Sequence, residues 1–109
     1  MQNNLIAANA QFSIAYLVHH KLFDYRGVVI DVDPHFMLSD EWYEAVAHSL
    51  PPKDQPWYRV LVHDSTRETY VAARHLERDT NGEPVRHPLN ETCFHSFKDG
   101  QYLTARRMN

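Results

Sequence analysis

The sequence predicts a mainly β fold, a small antiparallel barrel with a short helical insert. Three observations predict it. β-Branched residues alternate at Val28, Ile30 and Val32, the pattern of a pleated surface. Two further apolar runs, residues 57–63 and 67–72, are separated only by Asp64-Ser65-Thr66, a link short enough for a hairpin. The turn pairs Asn81-Gly82 and Asp99-Gly100 punctuate the last third.

Taken in order, residues 1–10 read as a poorly ordered lead-in and residues 11–109 as one domain. Residues 16–20 read as a short strand. Arg26-Gly27 turns the chain, and residues 27–33 form the clearest strand, with Val28, Ile30 and Val32 on the inward face and Val29, Asp31 and Asp33 on the other. Residues 39–50 read as a helix. Ser39 can cap it, and Asp40 and Glu41 suit its positive end. Trp42 with Val46, and Tyr43 with Ala47, stand one turn apart and could cover the core. Pro51-Pro52 stop it, because proline pushes the preceding residue out of the helical region. Residues 57–63 form a second strong strand, with Tyr58, Val60 and Val62 facing one way, and residues 67–72 a third. Residues 86–88 look extended, and Asp99-Gly100 between Phe97 and Tyr102 suggests a last hairpin. Short strands, tight turns and one helix suit a small barrel.

A chain of 109 residues buries roughly 65% of its unfolded surface, enough for one core but not for a core and a large cavity. No apolar run reaches the ~18–20 residues that cross a bilayer, and Leu5 to Ala10 lacks the basic flank and length of a signal peptide. The single cysteine, Cys93, cannot close an internal disulfide, so a cytoplasmic location is expected. Fourteen acidic residues outnumber eleven basic ones, for a net charge of −3. Phosphate binding needs clustered Lys and Arg, so any contact with DNA must be a local patch.

The stretch Asp31-Val32-Asp33-Pro34-His35 poses the sharpest chemical question. Two carboxylates on one strand face, about 7 Å apart, could hold a hard cation. Such ions need more oxygens than these. Aspartate and proline more simply end a strand. The adjacent His19 and His20 point to opposite strand faces and make a poor metal clamp. No zinc spacing, no nucleophile elbow and no glycine-rich phosphate loop is present. No catalytic residue, cofactor or metal is expected, and the chain reads as a non-enzyme.

The aromatics remain. Trp57 and Tyr58 are neighbours on one strand, so one of them should be core and the other exposed, unless the helical insert folds over it. Tyr25, Arg26, Trp57 and Tyr58 are therefore the candidate binding surface, since exposed aromatic patches mark interfaces. His19, His20, Lys21 and Arg26, extended by Lys53 and Arg59, are the candidate DNA contacts.

The spaced residues Phe12, Ile14, Val18 and His20, then Phe23, Tyr25-Arg26-Gly27-Val28, Ile30-Asp31, Asp33-Pro34 and Phe36, resemble the HspQ heat-shock protein family, also called YccV-like or hemimethylated-DNA-binding. The likeness continues through Glu41-Trp42-Tyr43, Pro52-Lys53, Gln55-Pro56-Trp57-Tyr58, Val60-Leu61-Val62, Thr69 to Ala72, Leu76, His87-Pro88 and Phe94. One departure is Ala15, where the family carries glycine. Glycine there would allow a positive φ, so alanine suggests that the entry to the first strand tolerates a side chain.

The resemblance implies an SH3-like barrel and two roles. The first is a heat-shock accessory function, promoting degradation of certain denatured or regulatory proteins by the ATP-dependent protease Lon. The second is recognition of hemimethylated DNA. A buried methyl group is worth about 0.8 kcal/mol, so binding to double-stranded DNA is expected to be weak, salt-sensitive and nearly indifferent to methylation. Open strand edges would also permit a homo-oligomer.

Overall fold

The computed structural model describes residues 11–46 and 50–104. The expected lead-in at 1–10 and the end of the expected helix, with Ala47, lie outside the described residues, as do 105–109. The described residues form seven strands: β1 (Leu17–His20), β2 (Arg26–Asp33), β3 (Trp57–Val62), β4 (Glu68–Ala72), β5 (Leu76–Arg78), β6 (Phe94–Lys98) and β7 (Gln101–Thr104). Among the described residues two short helices accompany them, α1 (Asp40–Val46) and α2 (Asn90–Cys93).

The strands form an antiparallel five-stranded sheet of order β4-β3-β2-β1-β5 and a separate β6–β7 hairpin. Among the described residues no ladder joins β4 to β5, so the sheet is open and the expected closed barrel is not formed. A single 3-10 turn, Ala73–His75, connects these two edges.

Both faces of the sheet are covered. One carries Val18, Val29, Tyr58, Val60 and Val71, sealed by Phe12. The other carries two clusters. Leu17, Val28 and Leu61 lie under Phe94 and Tyr102 of the hairpin, while Trp57 and Ala72 lie under Phe36 and the half-buried Trp42 and Tyr43. The helical insert thus covers the core as its aromatics predict, although Val46 is exposed.

The alternation read along β2 needs correction. The register with β3 slips between Val29 and Asp31, leaving Ile30 as the extra residue of a β-bulge, which reverses the facing of everything after it. Val28 and Ile30 pack beneath the hairpin, but Val32 packs with Val29 on the opposite face. Asp33 is the last rung, opposite Trp57, and Pro34 follows where the ladder stops.

The turn at Asp99-Gly100 has positive φ at both positions, 54° and 77°, as a two-residue hairpin requires. At Asn81-Gly82 no hairpin forms. Instead the Asn81 Oδ1 accepts the Glu83 amide at 3.0 Å.

Candidate functional site

The main sheet has two edge strands, β4 and β5, and the candidate site lies at β4. The Val62 amide donates to Arg67 O at 3.1 Å, and the Ala73 amide donates to Pro56 O at 2.9 Å. Residues 67 and 73 thus direct their backbone groups toward β3, and so must 69 and 71 between them. Glu68, Tyr70 and Ala72 direct theirs outward, Ala72 into a covered position at 1% exposure. Among the described residues no backbone partner meets those outward groups.

A groove of about 1170 Å³ follows this edge, walled on both sides. One wall comes from the chain around β1 and β2: Phe23, Leu22 and Tyr25 stand beside Thr69 and Val71. The other comes from the insert: Trp42 and Val46 stand beside Tyr70 and Ala72. Phe23 is 65% exposed and Leu22 is 56% exposed, although both are large and apolar. Their connection between β1 and β2 is held from below. His20 Nδ1 accepts the amides of Leu22 and Phe23 at 3.2 and 3.0 Å, and its ring stacks on Phe23 with centroids 4.8 Å apart. Burial, with His75 and His19 nearby, pushes the His20 pKa down to about 4, so the ring stays a neutral acceptor. Tyr25 fixes the wall to the edge through a 2.7 Å hydrogen bond between its hydroxyl and Thr69 Oγ1. On the far wall the Tyr70 hydroxyl donates to Asp33 Oδ2 at 2.6 Å, while accepting the Met37 amide at 3.1 Å.

The candidates named from sequence fare unequally. Tyr25 is half-buried and lines the groove. Trp57 and Tyr58 are 1% and 0% exposed, so neither offers a ring to a partner. The alternative holds: the helical insert folds over Trp57, while Tyr58 is covered on the opposite face beside Phe12. Tyr58 is instead an anchor whose hydroxyl oxygen accepts the amides of Gln11 and Phe12 at 2.9 and 3.3 Å. Arg26 is drawn inward, with Nε 3.0 Å from Asp79 Oδ2 and side-chain exposures of 17% and 7% for the pair. It is not a surface cation.

The expected DNA contacts are mostly neutralised. His19 sits between two carboxylates, each 2.7 Å from a ring nitrogen, Asp24 on Nε2 and Glu77 on Nδ1. Lys53 pairs with Asp40 at 3.0 Å and lies over the Tyr43 ring. Arg59 reaches Glu68 at 3.3 Å and Asp31 at 3.9 Å. His20 is buried and uncharged. Lys21 remains exposed, and its amide donates to His75 O at 2.8 Å, which brings it near the exposed Arg74. Both cations depress the His75 pKa, after burial. Among the described residues no three His, Cys, Asp or Glu side chains are grouped as a metal site would need.

Sequence reasoning missed Phe23, Leu22 and Val46 as surface residues. A signal was present in Leu22-Phe23, a large apolar pair in the turn between two strands, where polar residues are usual.

No described helix is long and apolar enough to cross a membrane. The family model described as "Hemimethylated DNA-binding protein YccV like" matches residues 10–101, a span that includes the whole main sheet and the groove.

Proposed function

Because the chain belongs to the YccV-like family, we propose that it is a non-enzymatic docking protein of the HspQ type, one that promotes degradation of certain denatured or regulatory proteins by the protease Lon in the cytoplasm. The observation that carries this reading is the groove along β4, whose exposed apolar walls adjoin an unpaired sheet edge. Denatured chains offer the complementary chemistry, extended backbone and exposed apolar side chains. The interior is solid packing around Val29, Tyr58 and Val60, all at 0% exposure, which suits binding at the surface better than catalysis within. The test is hydrogen exchange of the full chain with and without Lon. Slowed exchange in β4 and in residues 20–25 supports the reading, and an unchanged profile with no detectable association removes it.

DNA binding is the second reading. It is favoured by the family's description and by the nearness of Lys21 and Arg74 beside the 3-10 turn. Two or three cations give a small salt slope and weak affinity. Methylation adds a few-fold at most. Titration of methylated, hemimethylated and unmethylated duplexes across a salt series separates the readings. A strong, salt-resistant preference for hemimethylated duplex favours the DNA role.

A further inference from the structure

We propose that the β4 edge is a strand-acceptor site for an extended, acid-flanked apolar segment of another polypeptide. The inference rests on the protein-docking reading above and specifies the ligand and its mode.

The outward backbone groups of Glu68 and Tyr70 set the first requirement, since Ala72 beyond them is only 1% exposed. Alternating donors and acceptors along about 10 Å of edge are met in register only by another extended backbone. The two walls set the second. Successive side chains of an added strand point to opposite faces, so one set would meet Phe23, Tyr25 and Val71 and the alternate set Trp42, Val46 and Tyr70. A helix laid on the surface would use only one wall.

Charge sets the third requirement. In the groove Glu68 is engaged by Arg59, whereas Arg67, exposed at the start of β4, enters no ion pair among the described residues. At the far end stand Lys21 and Arg74. Cations at both ends select a segment flanked by carboxylates, against the −3 net charge of the whole chain. A second copy fits this poorly. Two β4 strands paired about a two-fold axis at Tyr70 place Ala73 opposite Arg67, with no carboxylate for the cation, and both copies would bring their own walls into the same space.

The test uses the full chain and a blocked synthetic peptide of about seven residues, alternating valine and tyrosine with aspartate at each end. A matched peptide is N-methylated along its centre and so cannot complete a ladder. The site predicts slowed amide exchange at Glu68 and Tyr70 with the first peptide, and binding about tenfold or more weaker with the second. Phe23→Asp, at an exposed position, should weaken binding about fivefold or more while shifting amides only in the turn around His20 that its ring stacks on. Equal affinity for both peptides, or protection confined to β6–β7, overturns the proposal. So does slowed exchange at β4 that rises with protein concentration alone, since a second copy then occupies the edge. Peptide binding without any effect on Lon would remove the wider function and leave this site standing. Stimulation of Lon without peptide binding would do the reverse.

Discussion

The amide of Ala15 donates to the carbonyl of Val29 across 2.7 Å while Ala15 holds a φ of 84°. The left-handed conformation falls on Ala15 itself, and a buried alanine adopts it. Left-handed backbone costs an alanine about 1–2 kcal/mol. Glycine would remove that cost but forfeit a buried methyl worth about 0.8 kcal/mol and add unfolded-chain freedom worth about 0.4–1 kcal/mol. The terms nearly cancel, so Ala15→Gly should change stability by less than about 0.5 kcal/mol. Ala15→Val, β-branched in the same conformation, should cost about 2 kcal/mol or more. Urea unfolding of the two variants checks the pair, and equal midpoints for both would contradict the assignment of strain.

Gly27 is required for a different reason. A Cβ built there meets Val60 Cγ1 in severe overlap and the Leu61 carbonyl oxygen at 2.6 Å. The carbonyl belongs to the β3 backbone and cannot step aside. Gly27→Ala should therefore destabilise by about 3 kcal/mol, at the upper end for overpacking. A stable variant with an unshifted spectrum would contradict the packing described.

Arg26 should matter to stability and not to DNA. Removing it leaves Asp79 buried and unpaired, at a cost of about 3 kcal/mol. The double variant Arg26→Met with Asp79→Leu should recover most of that loss, since an apolar pair of similar size carries no desolvation penalty. Thermal unfolding of the single and double variants tests this. A fully stable Arg26→Ala with weakened DNA binding would return the residue to the surface.

The adjacent histidines should respond to pH in opposite directions. His19, hydrogen-bonded first to Asp24 and also to Glu77, has its pKa raised above the usual 6.5 although burial opposes the shift. Its contribution to stability is complete below pH 6.5 and is lost as pH rises through the folded value. His20, lowered to about 4 chiefly by burial, acts the other way. Its contribution is complete above pH 6.5 and is lost as pH falls toward 4, where the unfolded chain binds the proton that the folded one refuses. Ring-proton NMR titration should place the His19 midpoint above 6.5, show no His20 transition until close to pH 4, and return His19 toward 6.5 in Asp24→Asn. Coincident midpoints for the two rings would contradict the structure.

Much of this architecture was legible in the chain. β2, β3, β4, the helical insert and the Asp99-Gly100 turn follow from alternation, caps and positive-φ preferences, all local signals. What escaped was non-local. β5 has three residues, Leu76–Arg78, too few to carry a period. The bulge at Ile30 shows only in the register of its partner strand. Alternation along Trp57-Tyr58, Val60-Leu61-Val62 leaves the second face undecided, and a nearly continuous apolar run is what a strand covered on both faces presents. Two of the candidate DNA contacts find partners far along the chain, Arg26 with Asp79 and His19 with Glu77. The groove is built from four separated segments; of its residues His20, Tyr25, Trp57 and Arg59 are candidates from the sequence, whereas its exposed apolar walls, Leu22, Phe23 and Val46, are not.

The central claim is that this domain docks polypeptides on behalf of a protease. The most direct measurement is the rate at which purified Lon degrades a denatured substrate as the full chain is added. The account predicts a saturable acceleration, reduced by Phe23→Asp. A rate that stays unchanged for every substrate tried, with no association detected, would contradict it.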